Sequence, residues 1–176
     1  NANIYVVGRT QSAMNVATPG AFQETVGGRD ACIVKFDKNG IRQWGTYFGG
    51  SHLDEGYGIA ADAAGNVYAS GMTSSTDLFT TSSALYPAYS IGLGAFVIRF
   101  NSSGALQLAT YFPAVGMDVE FEPDGKALLV GKTGSNTGIA TPGAHQSVRG
   151  GGDDGFIVKS EFTAAPPLPP SGLQAH

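Results

Sequence analysis

The chain has 176 residues, with 26 glycines, 9 prolines, 10 basic and 14 acidic residues, and a net charge of −4. This composition excludes disorder, which needs few apolar residues and high net charge, and long helices, since each glycine costs a helix about 1 kcal/mol. No apolar run reaches the roughly 20 residues of a membrane span, and the acidic balance gives no electrostatic footprint for nucleic acid or anionic lipid. What remains is a glycine-rich, turn-rich β domain.

One pattern of about 60 residues occurs almost three times along the chain. The recurring segments are IYVVGRT (4–10), VYASGMT (67–73) and ALLVGKT (127–133); TPGAFQ (18–23), TSSALY (81–86) and TPGAHQ (141–146); ACIVKF (31–36), AFVIRF (95–100) and GFIVKS (155–160); and QWGTYF (43–48) and QLATYF (107–112). This spacing predicts three units, at about 1–50, 51–112 and 113–162.

Each unit is predicted to hold four short strands, of which the first is GIAAD (58–62) in the middle unit and DVEFE (118–122) in the third. The connectors between strands share the pattern Asp/Asn/Glu-x-x-Gly. They are Asp37 to Gly40, Asp62 to Gly65, Asn101 to Gly104 and Glu122 to Gly125. A carboxylate or amide at the first position can cap the turn, and glycine at the fourth can take a positive φ. These four connectors therefore predict hairpins.

The predicted strands are apolar on both faces, because neighbours such as Val6 and Val7, or Val97 and Ile98, point to opposite sides. Such strands must be covered above and below. We therefore predict an all-β fold of β-propeller type, with blades of four antiparallel strands. A two-sheet sandwich fits less well, because its strands would alternate apolar with polar residues.

Two pairs of carboxylates are weak candidates for a calcium site. They are Asp54 with Glu55, and Asp153 with Asp154. Loop carboxylates and backbone carbonyls can supply the six to eight oxygens that calcium takes. The alternative is that these residues lie in solvated turns, and that Asp154, which aligns with Asp30 and Gly94, caps the start of a strand. No other cofactor is expected.

Three single residues have structural interpretations. Cys32, the one cysteine, cannot form an internal disulfide, and it aligns with Phe96 and Phe156, which predicts a buried position. His145 aligns with Phe22 and Leu85 and is predicted to pack in its loop. Trp44 is predicted to be a core residue rather than a platform for stacking a sugar. The histidines, serines and aspartates share no recurring setting, so no catalytic residue is predicted.

The run from Gly49 to Asp77, GGSHLDEGYGIAADAAGNVYASGMTSSTD, resembles the bacterial SBBP β-propeller repeat, as do TPGAFQ and DACIVKF. The resemblance implies an extracellular or cell-surface bacterial protein in which propellers stand beside other modules, and it brings no catalytic residue. We therefore expect a non-enzymatic scaffold or adhesion module that binds a protein or glycan surface. A carbohydrate-binding or glycan-processing propeller is the alternative.

The predicted strands amount to about two and a half blades, fewer than the four to eight that close a propeller. We expect the remaining blades to come from the same protein or from another chain, and a preceding segment to supply the fourth strand of the third unit. The long loops 10–29, 73–93 and 133–153 are expected to lie on one rim and to carry binding. Residues 163–176 form a proline-rich linker or the start of a fibronectin type III module.

Overall fold

A computed structural model describes residues 2–89, 92–122, 126–135 and 139–160. These residues form ten β-strands and no helix, which confirms the all-β prediction. The strands are β1 (Ile4–Thr10), β2 (Asp30–Phe36), β3 (Arg42–Phe48), β4 (Asp54–Ala61), β5 (Val67–Thr73), β6 (Gly94–Phe100), β7 (Leu106–Phe112), β8 (Val115–Phe121), β9 (Ala127–Thr133) and β10 (Asp154–Ser160). The predicted linker at 163–176 and the turn residue Gly125 lie outside the described residues.

The strands form three antiparallel sheets in chain order. The first sheet is β1-β2-β3, the second is β4-β5-β6-β7, and the third is β8-β9-β10. The sheets approach each other most closely at β1, β4 and β8, so these strands line the inner side of the arrangement. Three sheets of three or four strands packed in this way are propeller-like, and the described residues do not close a ring.

The hairpin connectors are capped by the side chain at their first position. Asp37 Oδ1 accepts hydrogen bonds from the backbone N–H groups of Asn39 and Ile41, at 2.8 and 2.9 Å. The fourth residue, Gly40, has φ = 79°, which residues with a side chain rarely adopt. The same arrangement recurs at Asp62 with Gly65 and at Asn101 with Gly104. At Glu122, the backbone N–H donates to Lys126 O at 3.0 Å.

The core consists of two apolar layers, one on each face of the middle sheet. In the first layer, Ile33 and Phe48 of the first sheet pack with Ile98 and other residues of the second. The second layer holds Val97 of the middle sheet and Leu129 of the third. Because both faces of the middle sheet are covered, its strands are apolar on both sides, as the sequence predicts.

Aromatic rings bridge successive sheets in the same way at both junctions. Phe48 and Phe96 have ring centroids 5.1 Å apart between the first and second sheets. Phe112 and Phe156 lie 5.6 Å apart between the second and third. The sequence repeat therefore places the same kind of aromatic contact at both junctions between sheets.

The inner strand β4 contacts both neighbouring sheets through glycine. A Cβ atom added to Gly56 would collide with the Val7 side chain of β1. One added to Gly58 would lie 2.7 Å from Val119 N and 2.8 Å from the Asp118 Cα of β8. The absence of side chains at these two positions lets three sheets converge on one strand.

Candidate functional site

The outward faces of the first and third sheets carry exposed apolar side chains at positions that are buried in the middle sheet. Ile4 and Val6 are 50% and 45% exposed, whereas their equivalents Val67 and Ala69 are completely buried. On the third sheet, Ile157 is 75% exposed, and its equivalent Val97 is completely buried. We call these two surfaces the outer faces. Each outer face has the apolar composition of a sheet junction, and among the described residues no sheet packs on it.

A network of polar residues joins the connector after β3 to the loop after β5. Asp54 Oδ2 accepts hydrogen bonds from the Gly50 N–H and the Ser75 hydroxyl, both at 2.8 Å. We call Gly50, Asp54 and Ser75 the carboxylate lock. Beside it, Asp77 Oδ1 accepts the Ser51 N–H at 3.0 Å, and Ser74 Oγ accepts the Leu53 N–H at 3.1 Å. The lock therefore fixes the chain where it passes from one sheet to the next.

The environment of Asp54 raises its pKa above the ordinary value. Burial raises the pKa of Asp54, and the nearby Asp30 carboxylate raises it further, while hydrogen bonds from Thr73, Gly50 and Ser75 lower it in part. The Oδ1 atom of Asp54 is buried and accepts no hydrogen bond of good geometry. Asp54 Oδ2 thus has two well-aligned donors, whereas its buried Oδ1 has none.

Asp30, at the start of β2, organises the end of the loop before it. Its carboxylate accepts the N–H groups of Gly27 and Gly28, at 2.9 and 3.1 Å, and the side-chain amide of Gln23 at 2.7 Å. Asp154 accepts the Gly150 N–H and the amide of Gln146 in the same way, at 2.7 and 2.9 Å. Asp154 is therefore a cap at the start of β10.

Glu55 joins the first two sheets through buried charge. Its Oε1 accepts hydrogen bonds from Arg9 of β1 and from Arg29, the latter at 3.1 Å, and its Oε2 accepts the Tyr57 hydroxyl at 3.0 Å. Burial raises the pKa of Glu55, but the hydrogen bonds from Arg29, Tyr57 and Arg9 outweigh it, so the pKa lies below its ordinary value. Glu55 is therefore ionised at neutral pH and pairs with both guanidinium groups.

These contacts correct the interpretation of Asp54 and Glu55 as residues of a solvated turn. Both are buried and begin β4, which starts four residues before the predicted strand at 58–62. Asp153 is exposed and pairs with Lys132 at 3.0 Å. The two carboxylate pairs belong to different sheets, and the described residues contain no group of three or more His, Cys, Asp and Glu suited to a metal ion. The calcium hypothesis stays a prediction.

Two of the single-residue predictions are wrong. Cys32 is half-buried rather than buried, because it lies on the outer face of the first sheet, and burial raises the pKa of its thiol. His145 is exposed rather than packed in its loop. Trp44 is buried, and its Nε1–H donates to Ser102 O at 3.2 Å, which confirms a core role.

The long loops carry exposed apolar residues at several positions. Met14 lies in the loop between β1 and β2, and Phe79 and Leu93 lie in the loop between β5 and β6. These two loops touch, because the rings of Phe22 and Phe79 meet edge to face with centroids 5.3 Å apart. The loops of the first two sheets therefore form one continuous surface.

Residues 43–79 match the family model of the SBBP β-propeller repeat. The chain contains an SBBP repeat. The matched segment begins in β3 and runs through the carboxylate lock, β4 and β5 to Phe79. No curated protein matches the chain significantly. In the described part of the chain, no helix is long and apolar enough to cross a membrane.

The matched segment contains the connection between the first and second sheets. Its glycines allow close packing: a Cβ on Gly50 would collide with the Asp77 carboxylate, and one on Gly49 would lie 2.6 Å from Asp30 Cγ. Its serines and aspartates form the hydrogen bonds of the lock. Residues of the matched segment thus stabilise a junction between sheets.

A Gln–Asp pair that was not predicted from the sequence organises two of the long loops. The pair is Gln23 with Asp30 in the first repeat and Gln146 with Asp154 in the third. In the middle repeat both positions change together, to Tyr86 and Gly94. This joint change within one chain was the signal that the two positions act as a unit.

Proposed function

We propose that this chain is a non-enzymatic interaction module, a run of propeller blades that acts as a scaffold by packing further β structure on its outer faces. The observation that carries the proposal is the exposure of Ile4, Val6 and Ile157 at positions whose equivalents in the middle sheet are buried. Exposed apolar surface of this kind is typical of an interface. The partners are further blades, from the same protein or from another chain.

Three buried acidic residues are already bonded to other parts of the protein, which supports a non-enzymatic role. Asp54 and Asp30 hold backbone N–H groups, and Glu55 is paired with two arginines. A carboxylate that acts in catalysis needs access to a substrate, whereas these three groups are enclosed between sheets.

The proposal includes an adhesion role for the surface formed by the long loops. Met14 and Phe79 are exposed on adjoining loops of a rigid β scaffold. Loops positioned in this way commonly carry recognition. The resemblance to the SBBP repeat supports a place for this module outside the cell, on a secreted or surface protein of a bacterium.

The size of the purified chain in solution tests the proposal. Sedimentation velocity of the 18.1 kDa chain should show association driven by the outer faces. The double variant Val6→Lys, Val130→Lys should shift the distribution to monomer, because a charge on either face opposes burial. The matched control is Lys38→Ala in a hairpin connector. A wild-type chain that is monomeric and binds no hydrophobic dye would overturn the proposal.

A further inference from the structure

The long loops of the first two sheets return along the outer strand of their own sheet. In the first sheet, the Thr18 N–H donates to Gly45 O of β3 at 2.9 Å. Further along, the Gln23 N–H donates to Thr46 Oγ1 at 3.0 Å, and the Tyr47 N–H donates back to Gln23 O at 3.2 Å. The loop therefore occupies the far side of β3 and satisfies backbone groups there.

The second sheet repeats these contacts with different loop residues. The Thr81 N–H donates to Ala109 O of β7 at 3.0 Å, the Tyr86 N–H donates to Thr110 Oγ1 at 2.9 Å, and the Tyr111 N–H donates to Tyr86 O at 3.1 Å. In both sheets the outer strand lies between its neighbouring strand, β2 or β6, and the returning loop. We call the position between them the strand seat.

A tyrosine hydroxyl fastens each outer strand to the start of its loop. Tyr47 OH donates to Ser12 O at 2.7 Å in the first sheet. Tyr111 OH donates to Ser75 O at 3.0 Å in the second and accepts the Leu78 N–H at 2.8 Å. The motif Thr-Tyr-Phe at the end of each outer strand therefore supplies the side chains that hold a strand in its seat.

The third sheet contains the parts of a strand seat, but no fourth strand among the described residues. Its loop makes the same turn as the first, since the Ala144 N–H donates to Thr141 O at 3.0 Å and Gly143 has φ = 84°. The corresponding bond in the first loop, from Ala21 to Thr18, is also 3.0 Å. Thr141 is exposed, whereas Thr18, beside β3, is partly buried.

We propose that β10 and loop residues 139–150 form a strand seat for an extended peptide that ends in Thr-Tyr-Phe. The peptide adds to β10 as a fourth antiparallel strand, in continuity with the ladder β8-β9-β10. By equivalence with β6 and β7, where Val97 lies opposite Thr110 and Phe96 opposite Tyr111, the threonine of the peptide lies opposite Ile157 and its tyrosine opposite Phe156. The inference rests on the proposed function and specifies one partner for it.

Binding of a synthetic peptide to the complete 176-residue chain tests the inference. The peptide has the sequence of residues 104–112, GALQLATYF, with a fluorescent label at its amino terminus. Fluorescence anisotropy should show saturable binding. Peptides carrying Thr110→Val or Tyr111→Phe should bind about fivefold more weakly, because each loses about one hydrogen bond in the seat.

The seat itself is tested with a matched pair of chain variants. Thr141→Val removes the hydroxyl whose equivalents, Thr18 and Thr81, contact the outer strand, and it should weaken binding about fivefold. Thr25→Val makes the same chemical change at an exposed residue of the first sheet's loop, outside the seat, and should leave the affinity unchanged. Hydrogen exchange should slow at β10 when the peptide binds.

Three results would overturn the inference: no saturable binding, equal binding by the substituted peptides, or slowed exchange at β1 instead of β10. The substitutions that test the outer faces, at Val6 and Val130, lie on β1 and β9. The two ideas can therefore fail separately. Peptide binding without association through the outer faces would contradict only the proposed function. Association through the outer faces without peptide binding would contradict only the strand seat.

Discussion

The Glu55 carboxylate of β4 receives a hydrogen bond from the Arg9 guanidinium of β1, and this contact links two sheets through their inner strands. Arg29 and Tyr57 complete the set of donors around the same carboxylate. The junction thus combines the apolar packing that propeller sheets need with a buried carboxylate that pairs with two partly exposed arginines at one end. Its strength depends on pH.

The Glu55 junction should weaken in acid. The pKa of Glu55 in the folded chain lies below its ordinary value of 4.5, so between these two values the unfolded chain binds more protons and stability rises with pH. At pH 7, Glu55→Gln should lower the free energy of unfolding by about 2 kcal/mol. This difference should disappear as pH falls through the pKa of the folded state. Urea unfolding of both proteins across pH, followed by Trp44 fluorescence, measures it; a difference independent of pH would contradict the prediction.

Removal of the Asp54 carboxylate should open the carboxylate lock. Asp54→Ala leaves the Gly50 N–H and the Ser75 hydroxyl without their acceptor, so we expect a loss of about 2 kcal/mol in the free energy of unfolding. Asp54→Asn keeps an oxygen at the acceptor position and should lose less than half as much. Thermal and urea unfolding give both values. Equal losses for the two variants would contradict the role of Asp54 Oδ2 as an acceptor in the lock.

Gly58→Ala should separate the second and third sheets. The added methyl group would meet Val119 N at 2.7 Å and Asp118 Cα at 2.8 Å, both fixed parts of the main chain of β8. We expect a loss of about 2 kcal/mol. The matched control is Gly8→Ala on β1, where the nearest atom to the methyl group is Cys32 Sγ at 3.9 Å, and the change should stay within about 1 kcal/mol. Similar values for the two variants would contradict the crowding of the inner strands.

The two strand-fastening tyrosines should differ in importance. Tyr111→Phe removes a hydroxyl that both donates to Ser75 O and accepts from Leu78 N, so about 2 kcal/mol should be lost. Tyr47→Phe removes the one bond to Ser12 O, in an exposed loop, and should cost about 1 kcal/mol. Chemical unfolding of the two variants provides the comparison. The reverse order would contradict the assignment of the Leu78 contact.

The repeat made the strands predictable, because apolar residues recur on both faces at a fixed distance and each hairpin has its own turn residues, as at Asp37 and Gly40. The position of Asp54 could not be read in this way. A carboxylate next to another carboxylate suggests a solvated loop, and only the folded chain shows that the Gly50 N–H and the Ser75 hydroxyl stand ready to bind it. Patterns of hydrophobicity contain no information about such distant donors.

The environment of His145 was unpredictable for a different reason. Its equivalent in the first repeat, Phe22, packs beside Phe48 of the outer strand, with ring centroids 6.2 Å apart. Aligning the repeats predicts where His145 lies in its loop, but it does not predict whether an outer strand lies beside that loop. Among the described residues no outer strand stands beside β10, so the same loop position faces solvent.

The returning loops have a consequence for how this protein aggregates. An unpaired sheet edge is a template on which other chains add strands without limit, but the loops around Thr18 and Thr81 cover the edges of β3 and β7. Among the described residues, no strand pairs with the outer edge of β10. Misassembly of the isolated chain should therefore begin at this edge, and a single charged or proline residue placed there would be enough to improve its solubility.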